Sequence, residues 1–364
     1  MTILHLISSR QVYGAEKVML PLCKGLRAKG FKVVLGIMDH FQGRNELEAV
    51  ALDEGLEVRR IVTKSQVDPK ALKQIRQLVR ELSPKIIHSH NYKSNFYAWL
   101  SKNTAKWVIT AHGWCGTDLK TKGYDLLDKI FIRFADALVA VSLNIMEEFY
   151  KLYIRKDKCF YIPNGLSCLG GPRDKLDDIF TIGFVGRLET EKNIQVVIQT
   201  LLRFLQGREN AQALILGDGS QYDWIQEQIQ RHGLQDKILL KGKVPPEDMP
   251  RYYQEIDCLF LPSLREGLPM VVLEALCFGI PIVGSAVALK DVGPKDFTRI
   301  ISNPHQKDQA VEKALKSLEE LEQLYQKPEA YLKLSRQAWQ EAKKFDITTM
   351  TNKYIALYEK LGQN

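Results

Sequence analysis

Two glutamates, Glu266 and Glu274, lie eight positions apart in an otherwise apolar segment, residues 265–281, that reads REGLPMVVLEALCFGIP. The apolar run at 270–278 predicts a short buried helix with Pro269 as its first residue. Helical side chains lean toward the N-terminus, so both carboxylates can reach the helix end whose N–H groups attract phosphate. These residue types favour a ligand with hydroxyls and phosphate. An acid that favours the helix dipole and a salt-bridged core glutamate would produce the same pattern.

A second segment places cations where a strand is predicted to end. The predicted strand at residues 180–185 is followed by Arg187 and Lys192, and two cations in a strand-to-helix loop can clamp a diphosphate. The alternative is a solvated loop in which these bases balance Glu189 and Glu191. The loop alone leaves both interpretations open.

A glycine-containing turn, Gly217, Asp218 and Gly219, follows the next predicted strand. Glycine at this position lets a ligand approach the backbone, although a plain tight turn is the commoner meaning. Neither loop matches the glycine patterns of dinucleotide-binding or P-loop proteins. Dehydrogenases and P-loop NTPases therefore lose their main support.

Composition and charge limit the function classes further. The chain has 364 residues, 45% of them hydrophobic and 26% charged, which predicts a globular protein of two domains. Residues 1–170 hold 26 basic and 16 acidic residues, whereas residues 171–364 hold 25 and 27. The basic half favours anionic lipid or a diphosphate-bearing acceptor as a partner, unless it serves solubility alone. No nucleic-acid-binding module is found.

Cysteines and hydropathy predict the compartment. The six cysteines form neither a C-x-x-C pair nor a metal-binding spacing, which predicts a reducing cytosol. The first residues are typical of a β-strand rather than a signal peptide, and no apolar run approaches the roughly 20 residues that span a bilayer. We therefore expect a cytoplasmic protein, at most peripheral on the inner face of the cytoplasmic membrane.

Short aliphatic and β-branched runs alternate with amphipathic segments along the whole chain. This alternation predicts parallel sheets covered by helices on both faces, seven strands before a polar linker at residues 167–178 and six after it. The predicted fold class is α/β, with two doubly wound Rossmann-like domains facing a cleft. Ligands of such sheets bind beyond the carboxyl ends of the strands, so we expect the site in that cleft.

Together these segments resemble the retaining glycosyltransferases of the GT-B fold, family 4 type. The second half carries GRLETEKN from Gly186, the turn GDG, and REGLP followed by the second glutamate. The first half contributes five motifs in family order: YGAEK (13–17), IIHSHN (86–91), TAHGW (110–114), VAVS (139–142) and IPNG (162–165). The resemblance covers nearly the whole chain. It implies an acceptor-binding domain at 1–168, a donor-binding domain at 178–345, and a C-terminal helix at 346–364 that crosses back to the first domain.

The resemblance implies roles for residues of the donor-binding domain. Arg187 and Lys192 would bind the donor's pyrophosphate and stabilise the charge that develops on it. Gly217 would lie beside the donor, and Glu274 would accept hydrogen bonds from two ribose hydroxyls.

The transferred sugar and the acceptor would meet further residues. Glu266 and the N–H groups of Gly267 and Leu268 would receive the sugar hydroxyls and a phosphate oxygen. Across the cleft, the N–H group of Gly14 would meet the donor phosphate, and His112 would lie beside the donor sugar.

A further predicted strand ends with polar residues in the first half. His88, His90, Asn91 and Lys93 are expected to contact the acceptor, whereas Ser142 is expected to cap a helix.

The sequence departs from the family pattern at two places. Tyr13 stands where the family usually has a glycine, and the segment GSAVALKDVGP at residues 284–294 lacks the usual Gly-Gly and Pro-Glu signature. The basic, aromatic-bearing segments at 92–107 and 149–158 are candidates for contact with anionic lipid. The alternative is that these aromatic residues belong to the core and the bases only solubilise the chain.

The resemblance implies transfer of a sugar from a nucleotide-diphosphate sugar, a UDP-sugar in preference to a GDP-sugar. The acceptor would be a saccharide or a polyprenyl-diphosphate-linked saccharide, in the synthesis of cell-surface polysaccharide or glycolipid. Because no carboxylate nucleophile is evident, a front-face route is expected, and such a route would retain the anomeric configuration. No cofactor or metal is expected, since Arg187 and Lys192 supply the positive charge. A GT-B-fold sugar-nucleotide epimerase and a non-catalytic nucleotide-sugar-binding protein remain as alternatives.

Overall fold

The computed structural model describes four stretches of the chain: residues 1–12, 14–40, 43–113 and 119–363, with the side chains of its fifth helix described from residue 123 onward. Tyr13 and Trp114, which belong to two of the matching motifs, lie outside the described residues. The chain divides into two compact units, one formed by Met1–Leu166 with Ile347–Asn364 and the other by Ser167–Asp346.

The described part of the first unit contains seven strands and six helices before the chain passes to the second unit. The strands are β1 (Thr2–Ser8), β2 (Lys32–Asp39), β3 (Glu57–Val62), β4 (Ile86–Ser89), β5 (Lys106–Ala111), β6 (Ala137–Ala140) and β7 (Cys159–Tyr161). The helices are α1 (Gly14–Ala28), α2 (Glu46–Asp53), α3 (Pro69–Leu82), α4 (Tyr92–Ser101), α5 (Leu119–Phe131) and α6 (Leu143–Lys151). The strands form one parallel sheet in the order β3-β2-β1-β4-β5-β6-β7.

The second unit repeats this plan with six strands. They are β8 (Phe180–Val185), β9 (Ala211–Leu216), β10 (Ile238–Gly242), β11 (Cys258–Leu261), β12 (Ile282–Ser285) and β13 (Thr298–Ile301). Its helices are α7 (Ile194–Leu205), α8 (Tyr222–Arg231), α9 (Met249–Glu255), α10 (Met270–Cys277), α11 (Lys307–Tyr325) and α12 (Pro328–Ala342). The sheet is parallel, with the order β10-β9-β8-β11-β12-β13.

Both sheets are doubly wound, which confirms the predicted fold class. In each sheet the strand order reverses between two central strands, β1 and β4 in the first unit and β8 and β11 in the second. Ligands of doubly wound sheets bind beyond the carboxyl ends of the strands at this reversal. The loops that follow these four strands are therefore the places where each unit is expected to hold ligand.

Continuous apolar runs explain why the strands were predictable. Residues of β1 such as Ile3, Leu4 and Leu6 are fully buried, as expected for a sheet covered by helices on both faces. Local capping sets helix starts: the Ser142 side chain accepts a hydrogen bond from the backbone N–H of Ile145, which confirms its predicted role as the cap of α6.

The start of α10 differs from the prediction by one residue. Pro269 has φ −69° and ψ 122°, so its backbone is extended and it precedes the helix, which begins at Met270. Proline fixes φ near the helical value but leaves ψ free, so the residue type alone does not distinguish these two positions.

The predicted lipid-facing aromatic residues divide between core and surface. Tyr97, Trp107 and Phe149 are almost fully buried, so for them the core alternative is correct. Tyr150 and Tyr153 are exposed on the surface of the first unit.

The C-terminal helix α13 (Ile347–Gly362) belongs to the first unit and packs against α1. Its approach is close, since a Cβ atom at Gly25 of α1 would lie 2.8 Å from the Thr351 hydroxyl oxygen. Two buried tyrosines of α13, Tyr354 and Tyr358, point into the sheet and hydrogen-bond there.

Cys168 and Cys277 form a disulfide within the second unit. The two residues are 109 positions apart, and nothing in the local spacing announces the pair. Disulfides are uncommon in a reducing cytosol, so the compartment expected from the cysteine pattern stays a prediction. Among the helices in the described part of the chain, none combines the length and hydropathy needed to cross a bilayer.

Candidate active site

The loops that follow β8 and β9 interlock through their backbones. Gly186 N–H donates to the Leu216 carbonyl at 3.0 Å, and Leu188 N–H donates to the Asp218 carbonyl at 2.9 Å. Gly217 has a φ of 148°, and a Cβ atom there would lie 1.8 Å from the Gly186 carbonyl oxygen. Glycine is therefore required at 217 by the neighbouring loop itself, and this packing fixes the backbone that carries the predicted cations.

Lys192 and Glu266 meet at the strand reversal of the second unit. The Lys192 ammonium lies 2.6 Å from a Glu266 carboxylate oxygen, and the two side chains are only 15% and 10% exposed. Lys192 follows β8 and Glu266 follows β11, so residues 74 positions apart in sequence form one ion pair. The structure thus brings together two of the residues that the sequence predicted to act on one ligand.

Arg187 and the loop glutamates have local partners. Arg187, 63% exposed, pairs with Glu191 at 2.5 Å, as the solvated-loop alternative expects. Glu189 accepts hydrogen bonds from the N–H and hydroxyl groups of Ser220, which lower the pKa of its carboxyl group. The Arg187 side chain therefore lies at the surface of the same loop, where its guanidinium group can exchange partners.

Glu274 is half-buried in the second turn of α10. One of its carboxylate oxygens accepts a hydrogen bond from the Tyr253 hydroxyl at 2.6 Å. Burial raises the pKa of Tyr253 well above its usual value, and the neighbouring Glu274 carboxylate raises it further, so the phenol keeps its proton and donates. Gly267 and Leu268 lie between Glu266 and α10, and Leu268 is buried.

Gly14 is the first residue of α1 and is exposed. It directly follows Tyr13, so the effect of the tyrosine that replaces the usual glycine lies outside the described residues. The prediction that Gly14 meets a donor phosphate stays a prediction.

Four imidazoles form a histidine cluster, defined as His5, His88, His90 and His112, in the first unit. His5 Nδ1 lies 3.0 Å from His90 Nε2, the His88 and His90 rings pack with centroids 4.2 Å apart, and the His90 and His112 centroids are 5.9 Å apart. The cluster joins β1, β4 and β5 at the strand reversal of this unit.

Burial keeps the histidine cluster neutral. Desolvation lowers the pKa of His5 to about 3 and that of His112 to about 4, and it lowers the pKa values of His88 and His90 well below the usual range. The His112 Nε2 atom is buried without a hydrogen-bond partner among the described residues. A neutral imidazole of this kind can donate or accept one further hydrogen bond.

Three imidazoles of the cluster lie close enough together to be considered as ligands of a metal ion. The imidazole nitrogens of His5, His88 and His90 lie within 4.8 Å of one another. Both nitrogens of His88 are already hydrogen-bonded, Nδ1 to the Tyr358 hydroxyl at 2.6 Å and Nε2 to the Thr110 hydroxyl at 2.7 Å. A metal would have to displace one of these bonds, so the arrangement fits a hydrogen-bonded core better than a ligand set.

The predicted acceptor residues have partners within the first unit. Asn91 caps α4, accepting from Ser94 N–H at 3.1 Å, and Lys93 is 4% exposed and donates to the Thr63 hydroxyl at 2.9 Å. Burial lowers the pKa of Lys93 to about 8. That His90, Asn91 and Lys93 contact the acceptor stays a prediction. Their contacts within the first unit are sufficient to explain why polar residues occur at these positions.

Both units match models of known families. The model for "Glycosyl transferases group 1" matches residues 173–335, and the model for "Glycosyl transferase 4-like domain" matches residues 13–165. The chain belongs to the group 1 glycosyltransferases.

Curated relatives of this glycosyltransferase agree with that assignment. An uncharacterized glycosyltransferase of Methanocaldococcus jannaschii is 26% identical over 225 residues, which are 56% of this chain and 57% of the relative. A UDP-Gal:alpha-D-GlcNAc-diphosphoundecaprenol alpha-1,3-galactosyltransferase of Escherichia coli is 25% identical over 243 residues, 60% of this chain and 62% of the relative. The chain spans less than two thirds of the length of these relatives.

Solved structures show the same fold over the whole chain. The Anabaena HepE protein, in complex with UDP and glucose, superposes with a TM-score of 0.81 at 17% identity and covers 99% of this chain and 100% of HepE. The fold of this glycosyltransferase is therefore the GT-B fold that the sequence predicted.

Two residues that organise the site of this glycosyltransferase were missed in the sequence. Asn193 adopts a left-handed backbone, and its side-chain amide donates to the carbonyl groups of Pro262 and Pro304, so it ties the loops after β8, β11 and β13 together. An asparagine directly after the second cation was a usable signal, because asparagine tolerates this conformation. Tyr253, the partner of Glu274, gave no such signal.

The unusual segment at residues 284–294 begins at the end of β12. The Ser285 hydroxyl accepts a hydrogen bond from Ala288 N–H at 3.2 Å, and the side chains of Ala288 and Leu289 are buried. The segment thus turns back onto its own unit with apolar side chains.

Proposed function

We propose that this glycosyltransferase transfers a sugar from a nucleotide-diphosphate sugar to a hydroxyl group of a saccharide or lipid-linked saccharide, with retention of configuration. A UDP-sugar is favoured over a GDP-sugar as donor. The products would serve the synthesis of cell-surface polysaccharide or glycolipid, on the inner face of the cytoplasmic membrane.

The observation that carries this proposal is the half-buried pair of Lys192 and Glu266 at the strand reversal of the second unit. A lysine whose position is fixed by a carboxylate provides a point charge for a diphosphate without a large loss of side-chain freedom on binding. When a donor binds, Lys192 can contact its diphosphate, and Glu266 can accept bonds from the sugar hydroxyls.

The names of relatives support the choice of substrates. The E. coli relative is named for a UDP-galactose donor and a diphosphoundecaprenol-linked acceptor, and HepE was solved with UDP and glucose. A uridine donor and a lipid-diphosphate acceptor are therefore the first pair to test.

The proposed reaction breaks the bond between the anomeric carbon and the diphosphate oxygen. The acceptor hydroxyl oxygen forms the new bond on the same face of the sugar, and its proton passes to the departing phosphate oxygen. Negative charge grows on the diphosphate during this step, and Lys192 and Arg187 would stabilise it. We propose that these cations make a metal ion unnecessary, so turnover should persist in EDTA.

Glu274 would hold the ribose through the oxygen atoms of its carboxylate. Its bond from the Tyr253 hydroxyl fixes the side-chain rotamer while the carboxylate retains further lone pairs for ribose hydroxyls. The neutral His112 would donate to, or accept from, a hydroxyl of the transferred sugar.

The test begins with donor binding and then measures transfer. A thermal-shift screen of UDP, GDP and ADP with their sugars should show stabilisation by a uridine compound. Incubation of that donor with a diphosphoprenyl-linked saccharide should produce a glycoside whose anomeric configuration, read by NMR, matches the donor. An isomerised donor in the absence of acceptor would indicate an epimerase, and binding without hydrolysis or transfer would indicate a non-catalytic protein.

A further inference from the structure

Four large apolar side chains face solvent on α5 and on the 3₁₀ turn that follows it at Ile132–Phe134. Leu126 is 63% exposed, Leu127 50%, Ile130 47% and Phe134 53%. At about 100° per residue these positions fall within an arc of roughly 100°, so they form one stripe. The opposite side of the helix carries the buried residues Asp128 and Ile132.

Exposed apolar residues concentrate in this part of the molecule. Fourteen large hydrophobic side chains are exposed in the described part of the chain, and seven of them lie between residues 126 and 153. Single exposed apolar residues are ordinary on a protein surface, but a cluster of this kind marks an interaction site. The stripe therefore requires a partner that accepts apolar side chains.

Hydrogen bonds from basic side chains connect the region of this stripe to the segment that follows α6. The Arg133 guanidinium donates to the Leu152 carbonyl at 3.1 Å, and the Lys158 ammonium donates to the Ala135 carbonyl at 2.8 Å. Tyr153, 95% exposed, directly follows Leu152. The helix α5 and the segment after α6 therefore present one continuous surface.

Positive charge predominates where the two elements meet. Residues 151–158 contain four bases and one acid, and the Lys156 ammonium lies 5.8 Å from the centre of the Tyr150 ring. Some of these bases have acidic partners, such as Arg155 with Asp157, which moderates the charge without reversing its sign. Apolar side chains with aromatic residues and bases beside them are typical of surfaces that lie in a membrane interface.

We propose that this apolar-basic face, defined as the exposed side chains of residues 126–134 and 150–158, binds the surface of a bilayer that contains anionic lipids. The proposal rests on the proposed function, because a lipid-linked acceptor is met at a membrane surface. The apolar stripe enters the interfacial region, and the bases contact lipid phosphates. A second copy of the chain fits less well, since an isologous contact would bring the same bases together.

The proposal is tested by co-sedimentation of the full chain with vesicles of phosphatidylglycerol and phosphatidylcholine. Wild type should bind vesicles that contain phosphatidylglycerol and bind pure phosphatidylcholine at least tenfold less. Leu126→Ser with Ile130→Ser should lower partitioning onto the anionic vesicles at least tenfold. The matched control is Leu52→Ser with Val67→Ser, two exposed apolar residues elsewhere in the same unit, and it should change partitioning less than twofold.

A second pair of variants tests the basic part of the face. Lys151→Gln with Lys156→Gln should lower binding to anionic vesicles several-fold and leave the weak binding to phosphatidylcholine unchanged. All variants should keep the wild-type urea midpoint, because the substituted side chains are exposed.

Three results would overturn the proposal. The first is equal loss of binding in the apolar-face pair and its control, and the second is no binding by wild type at low salt. The third is a dimer in analytical ultracentrifugation that the apolar-face pair abolishes while vesicle binding is absent. Transfer to a water-soluble acceptor is measured in parallel: its persistence in the apolar-face pair separates a failed membrane surface from a failed assignment of function.

Discussion

At the residue scale, the position of Lys192 is set by a carboxylate rather than by solvent. Lys192→Ala should lower turnover by about 10²–10³-fold, because it removes a fixed positive charge from the place where, under the proposed function, diphosphate charge develops. Steady-state kinetics with saturating UDP-sugar would measure the loss. The matched control is Lys333→Ala, an exposed lysine on α12 of the same unit, which should retain wild-type turnover.

The Lys192→Ala variant also tests whether the ion pair contributes to stability as well as to turnover. Removal of Lys192 leaves Glu266, 10% exposed, without this ammonium partner, so the urea midpoint should fall modestly while the fold persists. Wild-type turnover in a folded Lys192→Ala protein would remove this lysine from the site.

The histidine cluster predicts a stability change with pH. The pKa of His5 is lowered to about 3 and that of His112 to about 4, whereas both titrate near 6.5 in the unfolded chain. Below pH 6.5 the unfolded chain therefore binds more protons than the folded one, and stability falls as the pH drops toward 4. Each such histidine contributes about 1.4 kcal/mol per pH unit in this window.

Urea unfolding at pH 7.0, 6.0 and 5.0 would measure this slope. His5→Gln should reduce the slope by about one proton. The other titratable groups that face His5 are His88 and His90. If His5→Gln leaves the dependence of stability on pH unchanged, these two histidines account for it instead.

Sequence reasoning selected candidate site residues whose chemistry is local and missed those whose partners are distant. Lys192 was predicted because it follows a strand, and Glu266 because it precedes a short helix that carries a second glutamate; the fold brings the two side chains together. Tyr253 could not be predicted, since its role depends on Glu274, 21 positions away on another helix. A polar residue after a strand can contact a ligand or cap the next helix. Asn91 was predicted to contact the acceptor, and in the structure it caps α4.

At the element scale, the loop after β9 depends on one glycine. Gly217→Ala would place a methyl group against the Gly186 carbonyl, and we expect a loss of about 3 kcal/mol or more from steric overlap and backbone strain. Gly207→Ala is the matched control, because Gly207 also has positive φ, at 74°, but no atom lies within 4 Å of the added methyl group. It should cost only the strain, about 1 kcal/mol.

Urea unfolding of both variants would separate packing from strain. Equal destabilisation by the two substitutions would mean that the interlocked loops relax without loss, and the close approach at Gly217 would then not position the cations.

The helix α13 is joined to the first sheet by a chain of buried hydrogen bonds. Tyr358 bonds to His88, His88 to the Thr110 hydroxyl, and Thr110 to Tyr354 at 2.8 Å. A neutral imidazole donates through one nitrogen and accepts through the other, so the Tyr358–His88 and His88–Thr110 bonds have the same direction along the chain. This arrangement makes every member dependent on its neighbours.

Tyr358→Phe should cost about 1–3 kcal/mol, because it leaves a buried His88 nitrogen without its partner. Tyr150→Phe, at a tyrosine that is 46% exposed in the same unit, should change the unfolding free energy by less than about 0.5 kcal/mol. Chemical unfolding monitored by fluorescence measures both. A loss in Tyr358→Phe no larger than in Tyr150→Phe would show that water replaces the missing hydroxyl.

The elements themselves were largely predictable. Strand β8 is a largely apolar run, and its predicted bounds, residues 180–185, agree with the structure. Sheet order could not be read from these runs, because every strand of a parallel sheet buried on both faces has the same pattern. The exposed stripe of α5 was likewise not predicted, since an apolar stripe on a helix ordinarily indicates its core face.

At the scale of the whole molecule, charge and covalent connection differ between the units. The excess of basic over acidic residues lies in the unit that carries the apolar-basic face, whereas acidic residues slightly outnumber basic ones in the second unit, which holds the disulfide. The disulfide connects the segment where the second unit begins to the last residue of α10, the helix that carries Glu274.

Cys168→Ser should therefore destabilise the second unit. Closing a loop of this length restricts the unfolded chain, and its loss typically costs about 2–4 kcal/mol. Cys159→Ser is the control, because Cys159 is a free cysteine of the first unit and its substitution removes no cross-link. Urea unfolding with and without dithiothreitol should show that the reductant lowers the midpoint of wild type and not that of Cys168→Ser. Intact mass after alkylation of unfolded protein from cells decides whether the bond forms there: an unreduced chain that labels at both Cys168 and Cys277 would agree with the reducing compartment expected from the cysteine spacing.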